Sequence, residues 1–142
     1  MEIRQVFPTD LSSDSIGPLR YAMGIANDNK AQLAFVHVVH GASGAPVDYP
    51  DELSIDDDQY AQAMFQLRKY VPDDAEFRRA PELLIESDVP ADGILKVVRR
   101  LAADLIIMPV RHQTMATRSR RAWGTASRII AHAPCPVLTI SE

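Results

Sequence analysis

Features that mark several protein classes are absent or scarce in this chain. Cys135 is the only cysteine, so an internal disulfide is impossible and we expect no cysteine-based metal cluster. No apolar run approaches the ~20 residues that cross a bilayer. The first residues carry charge and lead into no apolar segment, so we expect no secretory signal. These absences predict a cytoplasmic protein that does not associate with membranes.

Positive charge is also scarce, because 15 Lys and Arg stand against 19 Asp and Glu and leave a net charge of −4. General nucleic-acid binding favours basic domains, so we predict that the chain does not bind nucleic acid. The scattered histidines lack the spacing of zinc ligands. No Gly-x-Ser-x-Gly motif or Ser–His–acid pattern is present, so we predict no enzymatic activity. His37, inside an apolar run, is interpreted as a core or near-site histidine rather than a catalytic base.

Short apolar runs alternate with amphipathic segments along the whole chain. The apolar runs predict strands over 3–8, 32–40, 81–88, 104–110 and 136–141. Helices are predicted after the polar turn 9–14 and over 53–70, 89–102 and 124–132. Strands alternating with helices at this spacing predict one α/β domain over 1–142, a parallel sheet with helices on both faces.

Two of the predicted helices show which side chains should face the sheet. Ile16, Leu19, Met23 and Ala26 recur at helical spacing and predict the inward face of the first helix. In the last helix, Ile129 and Ile130 are predicted to face inward.

A binding site in such a sheet is expected at the carboxyl edge of the strands, where the strand order reverses. Residues 8–10 leave the first strand and residues 108–112 leave the fourth, so both segments should meet there. Asp10 could accept a hydrogen bond from an exocyclic amine such as that of adenine. It could equally cap the turn into the first helix, and the residues alone leave both roles open.

Four stretches in the right order resemble the universal stress protein family. They are "VFPTDLS" (6–12), "LAFVHVV" (33–39), "DLIIMP" (104–109) and "GTASRIIAHAPCPVLTI" (124–140). The resemblance implies a flavodoxin-like, doubly wound five-stranded parallel sheet with strand order 3-2-1-4-5. It also implies a homodimer and a role in stress response.

Some members of that family bind ATP, and the resemblance assigns residues to such a site. Asp10 and the backbone near Val38 correspond to the positions that hold adenine. Gly124 and Thr125 correspond to the end of a G-x-x-G-x9-G-[S/T] loop that holds the phosphates. We expect Gly124-Thr125 to open a helix, whose N-terminus attracts anions.

The phosphate loop is where this chain departs from the family pattern. Fifteen residues separate Met108 from Gly124, where the motif has thirteen, and neither way of aligning the first two glycines recovers one. Pro109 has no N–H to offer a phosphate. Arg111 and three further arginines, at 118, 120 and 121, could compensate because guanidinium groups bind phosphate bidentately.

These observations leave two functional hypotheses. The first is a non-catalytic stress-response module that needs no cofactor and acts through dimerisation and contacts with a regulatory protein partner. The alternative is a nucleotide-dependent switch that binds ATP or AMP with Mg²⁺ through Asp10, Val38, Arg111, Gly124 and Thr125.

The last strand carries the predicted dimer contact. It should lie at a sheet edge, and an exposed apolar edge usually has to be covered. Val137, Leu138 and Ile140 are the residues that we expect to meet a second copy of the chain. They could instead pack only against their own helices.

Overall fold

The computed structural model describes residues 2–39, 55–110 and 120–141, without the side chains of 120–123. Five strands and four α-helices lie in these ranges. The strands are β1 (Arg4–Pro8), β2 (Gln32–Val39), β3 (Glu82–Ser87), β4 (Leu105–Val110) and β5 (Val137–Ser141). The helices are α1 (Ile16–Asn29), α2 (Asp57–Tyr70), α3 (Pro90–Leu101) and α4 (Arg120–His132). No helix in these ranges is long and apolar enough to span a membrane.

All five strands run parallel in one sheet, in the order β3-β2-β1-β4-β5. The predicted fold class and strand order are confirmed. The order reverses at β1, which pairs with β2 on one side and β4 on the other. The carboxyl ends of β1 and β4 therefore frame the crevice where ligands bind in such sheets.

Each face of the sheet has its own core. On one face, α3 and α4 cover aliphatic side chains such as Val6, Val36 and Ile106. On the other face, α1 and α2 cover a core that contains Phe7 and Phe35. Since the central strands are buried from both sides, their nearly continuous apolar sequences follow directly from the architecture.

The helices begin and end by recognisable local chemistry. Asp56 caps α2, accepting from the Gln59 N–H at 2.8 Å while the Gln59 side chain returns a bond to the Asp56 N–H at 3.0 Å. Both α1 and α3 end at a residue in the left-handed backbone region, Lys30 with φ 55° and Ala102 with φ 50°. These caps fix where each chain segment turns back into the sheet.

Three predictions about helix faces and ends were wrong. Ile16 is 48% exposed because it is the first residue of α1, before the helix reaches the sheet. Ile129 is fully buried, but Ile130 is 52% exposed, since neighbouring helical residues point about 100° apart. The helix α4 begins at Arg120, so Gly124 and Thr125 lie inside it and do not open it.

Candidate functional site

The chain leaves the sheet abruptly at the end of β1. The Thr9 N–H still donates to the Val36 carbonyl at 2.9 Å, but the next residues turn away. Leu11 has φ 66°, in the left-handed region that a branched side chain rarely adopts. Side chains hold this turn: the Leu11 N–H donates to Thr9 Oγ1 and the Ser12 N–H donates to Asp10 Oδ1, each at 2.9 Å.

His37 supports the same turn from the neighbouring strand. Its Nδ1 lies 3.0 Å from the Thr9 carbonyl oxygen. A carbonyl oxygen only accepts, so Nδ1 carries the hydrogen. His37 is half-buried and lines the cavity, so its position is that of a near-site histidine.

A pair of hydroxyl groups links the turn to α2. The Ser15 Oγ donates to the Ser12 carbonyl at 2.9 Å and also contacts the Tyr70 hydroxyl. Since the single hydroxyl hydrogen of Ser15 is used on Ser12, Tyr70 is the donor in the second bond. The last residue of α2 is thereby linked to the turn that follows β1.

These elements enclose a cavity of about 460 Å³ at the point where the strand order reverses. Residues from β1 and the turn, from β2, from β4 and from the first turns of α1 and α3 line it, together with Thr125 of α4. They are Pro8, Thr9, Asp10, Ser12, Asp14, Ser15, Pro18, Val36, His37, Val38, Pro90, Ile94, Met108, Pro109, Val110 and Thr125. Apolar walls with a few convergent polar groups, in this size range, are typical of small-molecule sites.

The charge of the described lining is acidic. Asp10 and Asp14 contribute carboxylates, and no Lys or Arg is among the described lining residues. Within the described ranges, no group of three or more His, Cys, Asp or Glu side chains could hold a metal ion. The described lining therefore offers a ligand two carboxylates and several neutral hydrogen-bonding groups.

The structure brings three of the five predicted nucleotide-site residues together. Asp10, Val38 and Thr125 come from three separate elements and line the same cavity. Gly124 is exposed on α4, next to Thr125. Only the first four N–H groups of a helix lack an intrahelical partner, so Gly124 and Thr125 lie past the free donors of α4. Arg111 lies outside the described residues.

The predicted dimer residues lie on an edge strand. β5 pairs with β4 on one side only. Leu138 is 38% exposed, whereas Val137 and Ile140 are half-buried and pack against the two cores. Ile130 of α4 is also exposed. The dimer contact stays a prediction.

Several residues of the site were missed by the sequence interpretation. Tyr70 lies far along the chain from Ser15, and no sequence pattern pairs them. Gly93 sits where a Cβ would come within 2.9 Å of Val38 Cγ1, so its lack of a side chain lets α3 pack directly on a wall of the cavity. A glycine near the start of an otherwise amphipathic helix was the available signal for a close approach.

Cys135 lies away from the cavity and packs against the aliphatic core. Burial raises the pKa of its thiol above the usual range, and the negative charge of Asp104 raises it further. Cys135 therefore stays protonated at neutral pH, which suits a small packing residue better than a reactive thiol.

Comparisons with known proteins agree with this architecture. The model of the universal stress protein family matches residues 4–141. The universal stress protein UspA from Lactobacillus plantarum is 23% identical, with 99% of each chain covered and a TM-score of 0.66. A universal stress protein in complex with cAMP is 19% identical, with 99% of this chain and 97% of that chain covered and a TM-score of 0.69.

A family protein from Arabidopsis thaliana with AMP bound is 18% identical, with 99% of this chain and 92% of that chain covered and a TM-score of 0.65. Identities at this level indicate a shared fold and no more. No curated protein sequence matches the chain. The family match spans nearly the whole sequence, and the chain belongs to the universal stress protein family.

Proposed function

We propose that the protein is a non-catalytic regulatory module whose cavity binds an adenine nucleoside or nucleoside monophosphate. The observation that carries this proposal is the cavity itself, which joins apolar walls to Asp10, Val38 and Thr125 at the reversal of strand order. Two structural relatives, crystallised with cAMP and with AMP, support the same ligand class.

The chemistry at the end of β4 favours a short phosphate group or none over a triphosphate. Pro109 lines the cavity and offers no N–H. Gly124 and Thr125 lie past the free donors of α4. The described lining supplies no cation, so the part of the site that the structure describes fits base and ribose. ATP with Mg²⁺ is the weaker ligand in this proposal, and Arg111 is the residue that would strengthen it.

Thermal unfolding with adenosine, AMP and Mg-ATP tests the proposal. A ligand at 100 times its dissociation constant stabilises the folded state by about 2.7 kcal/mol. That corresponds to a rise of several degrees in Tm for a domain of this size. We expect this rise with adenosine or AMP and a smaller one with Mg-ATP. No shift with any of them, and no nucleotide released on denaturation, would contradict the nucleotide part.

A matched pair of variants tests the placement of the ligand. Asp10→Asn keeps an oxygen that can accept from the Ser12 N–H and removes the charge, so we expect it to weaken adenosine binding with little loss of stability. Asp28→Asn makes the same change at an exposed position of α1 outside the cavity and should leave binding unchanged. Equal affinities of the two variants would contradict this placement.

Incubation with each nucleotide tests the non-catalytic part of the proposal. Within the described residues, no group of three or more His, Cys, Asp or Glu could hold a metal ion, and His37 Nδ1 bonds the Thr9 carbonyl rather than a hydroxyl. We therefore expect the nucleotide to be recovered intact after hours with stoichiometric protein, as measured by chromatography. Steady phosphate release that follows the protein concentration would contradict it.

Assembly through β5 completes the proposed regulatory role. The exposed Leu138 on the edge strand β5 supports a homodimer contact there. Leu138→Asp places a charge at this edge and should convert the dimer to a monomer in sedimentation. Phe65→Asp, at a more exposed apolar residue on α2, is the control and should not change the assembly state.

A further inference from the structure

Val38 lies where β2 continues after β1 has left it. The register places Pro8 beside Val36, and the Thr9 N–H donates to the Val36 carbonyl. In a parallel ladder, every second residue of a strand turns its N–H and C=O towards the same neighbour. Val36 and Val38 therefore both turn their peptide groups towards the side of β1.

A continued ladder would pair both peptide groups of Val38. The Val38 N–H would donate to the Thr9 carbonyl, and the Leu11 N–H would donate to the Val38 carbonyl. Neither hydrogen bond forms between these described residues. His37 Nδ1 donates to the Thr9 carbonyl instead, and the Leu11 N–H donates to Thr9 Oγ1. Two side chains thus take both of the partners that Val38 would have had.

We propose that His37 and Thr9 are positioning residues that keep the Val38 N–H and C=O open for a ligand. Val38 lines the cavity, so its donor and acceptor are available to the edge of a planar base that carries an acceptor beside an amine. This ligand role rests on the proposed function. The capping itself does not depend on the proposed function.

The capping also explains why the turn tolerates its unusual backbone. Thr9 is 7% exposed, and a buried peptide group without a partner is costly. With His37 and Thr9 Oγ1 in place, the Thr9 carbonyl and the Leu11 N–H are satisfied although the ladder stops. Without one of these side-chain bonds, the Thr9 carbonyl or the Leu11 N–H would most readily regain a partner if β1 closed onto Val38 and extended the ladder.

Amide hydrogen exchange at Val38, measured by NMR without ligand, tests the capping directly. We expect fast exchange in the wild type and at least tenfold slower exchange in His37→Leu, where the Thr9 carbonyl needs a new donor. His37→Asn places an amide N–H near the position of Nδ1 and should retain fast exchange. His132→Leu, at an exposed histidine outside the cavity, is the matched control. A Val38 amide with the same exchange rate in the wild type and His37→Leu overturns the proposal.

A second pair of variants tests the other cap without touching His37. Thr9→Val keeps the side-chain shape and removes Oγ1, whereas Thr9→Ser retains the acceptor. Adenosine titrations by calorimetry should show at least tenfold weaker binding for Thr9→Val and for His37→Leu. Thr9→Ser and His37→Asn should stay within about threefold of the wild type. Wild-type affinity in both Thr9→Val and His37→Leu, with folded protein, overturns the proposal.

The two measurements separate this inference from the function on which it rests. If the wild type binds no adenosine or AMP, the proposed function fails, and the exchange rates still decide whether His37 keeps Val38 unpaired. If the wild type binds and its Val38 amide exchanges no faster than in His37→Leu, the proposed function stands and the positioning role of His37 falls.

Discussion

The two faces of the sheet are filled in different ways. The face covered by α1 and α2 takes its volume from aromatic rings: Phe35 meets Phe7 edge-on with centroids 5.7 Å apart, and Phe77 at 6.0 Å. The face covered by α3 and α4 has no aromatic residue among its described core members. There, Gly93 lets α3 approach within contact of Val38. One face is stabilised by large side chains and the other by close approach, so they should respond differently to substitution.

Removal of the central ring should have the largest effect on stability. Phe35 is fully buried between Phe7 and Phe77, so Phe35→Ala leaves a cavity and should cost about 3–5 kcal/mol in the free energy of unfolding. Phe65→Ala removes the same ring from a position that is 66% exposed and should change stability by no more than about 0.5 kcal/mol. Urea denaturation measures both, and similar losses would mean that the aromatic cluster is not what stabilises this face.

Addition of a methyl group at a helical glycine should change stability in opposite directions at Gly93 and Gly24. Gly93→Ala brings a Cβ within 2.9 Å of Val38, and we expect a net loss of about 1 kcal/mol after the gain in helix propensity. Gly24→Ala, at a solvent-exposed position of α1, meets nothing within 4 Å and should stabilise the fold by about 0.5–1 kcal/mol. Thermal unfolding of the two variants tests the difference, and stabilisation by both would show that α3 has room to move.

Glycine substitutions at the ends of α1 and α3 should change stability by the same amount on both faces of the sheet. Lys30 after α1 and Ala102 after α3 both adopt left-handed backbone, which glycine accepts without a steric penalty. Lys30→Gly and Ala102→Gly should therefore each raise the free energy of unfolding by roughly 0.5 kcal/mol. Ala102→Val should lower it. A clear difference between the two glycine variants would show that the caps, and not only the cores, distinguish the faces.

Ion pairs should contribute least. Asp92 and Arg128 join α3 to α4 at 3.0 Å, and Arg20 and Glu76 meet at 3.1 Å on the other face. All four side chains are at least 40% exposed, so double-mutant cycles should give only a few tenths of a kcal/mol for each pair. Both coupling energies should shrink further in 1 M salt. A coupling above 1.5 kcal/mol would contradict this ranking.

Much of the fold could be predicted because local signals and the final packing agree. The alternation of apolar runs and amphipathic segments predicted the parallel sheet, and the pattern of Leu19, Met23 and Ala26 predicted the inward face of α1, which is buried. The pattern failed where two neighbouring residues had the same character. Ile129 and Ile130 are identical in chemistry, and only the position of α4 against the sheet decides which one is buried.

The site was less accessible to sequence reasoning. Asp10, Val38 and Thr125 were assigned through the family resemblance, and the structure places them on one cavity. The hydrogen bond from His37 to Thr9 depends on the register between β1 and β2, so the residues alone could not reveal it. The start of α4 at Arg120 was missed because Gly124 disfavours a helix interior, while the rest of the segment extends the helix towards its N-terminus.

The left-handed backbone at Leu11 bears on how fast a ligand could enter. Together with the side-chain bonds from Thr9, Asp10 and Ser15, it gives this rim of the cavity a defined shape. A preorganised rim loses little conformational entropy on binding. Association rates should then rise linearly with ligand concentration, without the plateau that marks a preceding rearrangement of the protein.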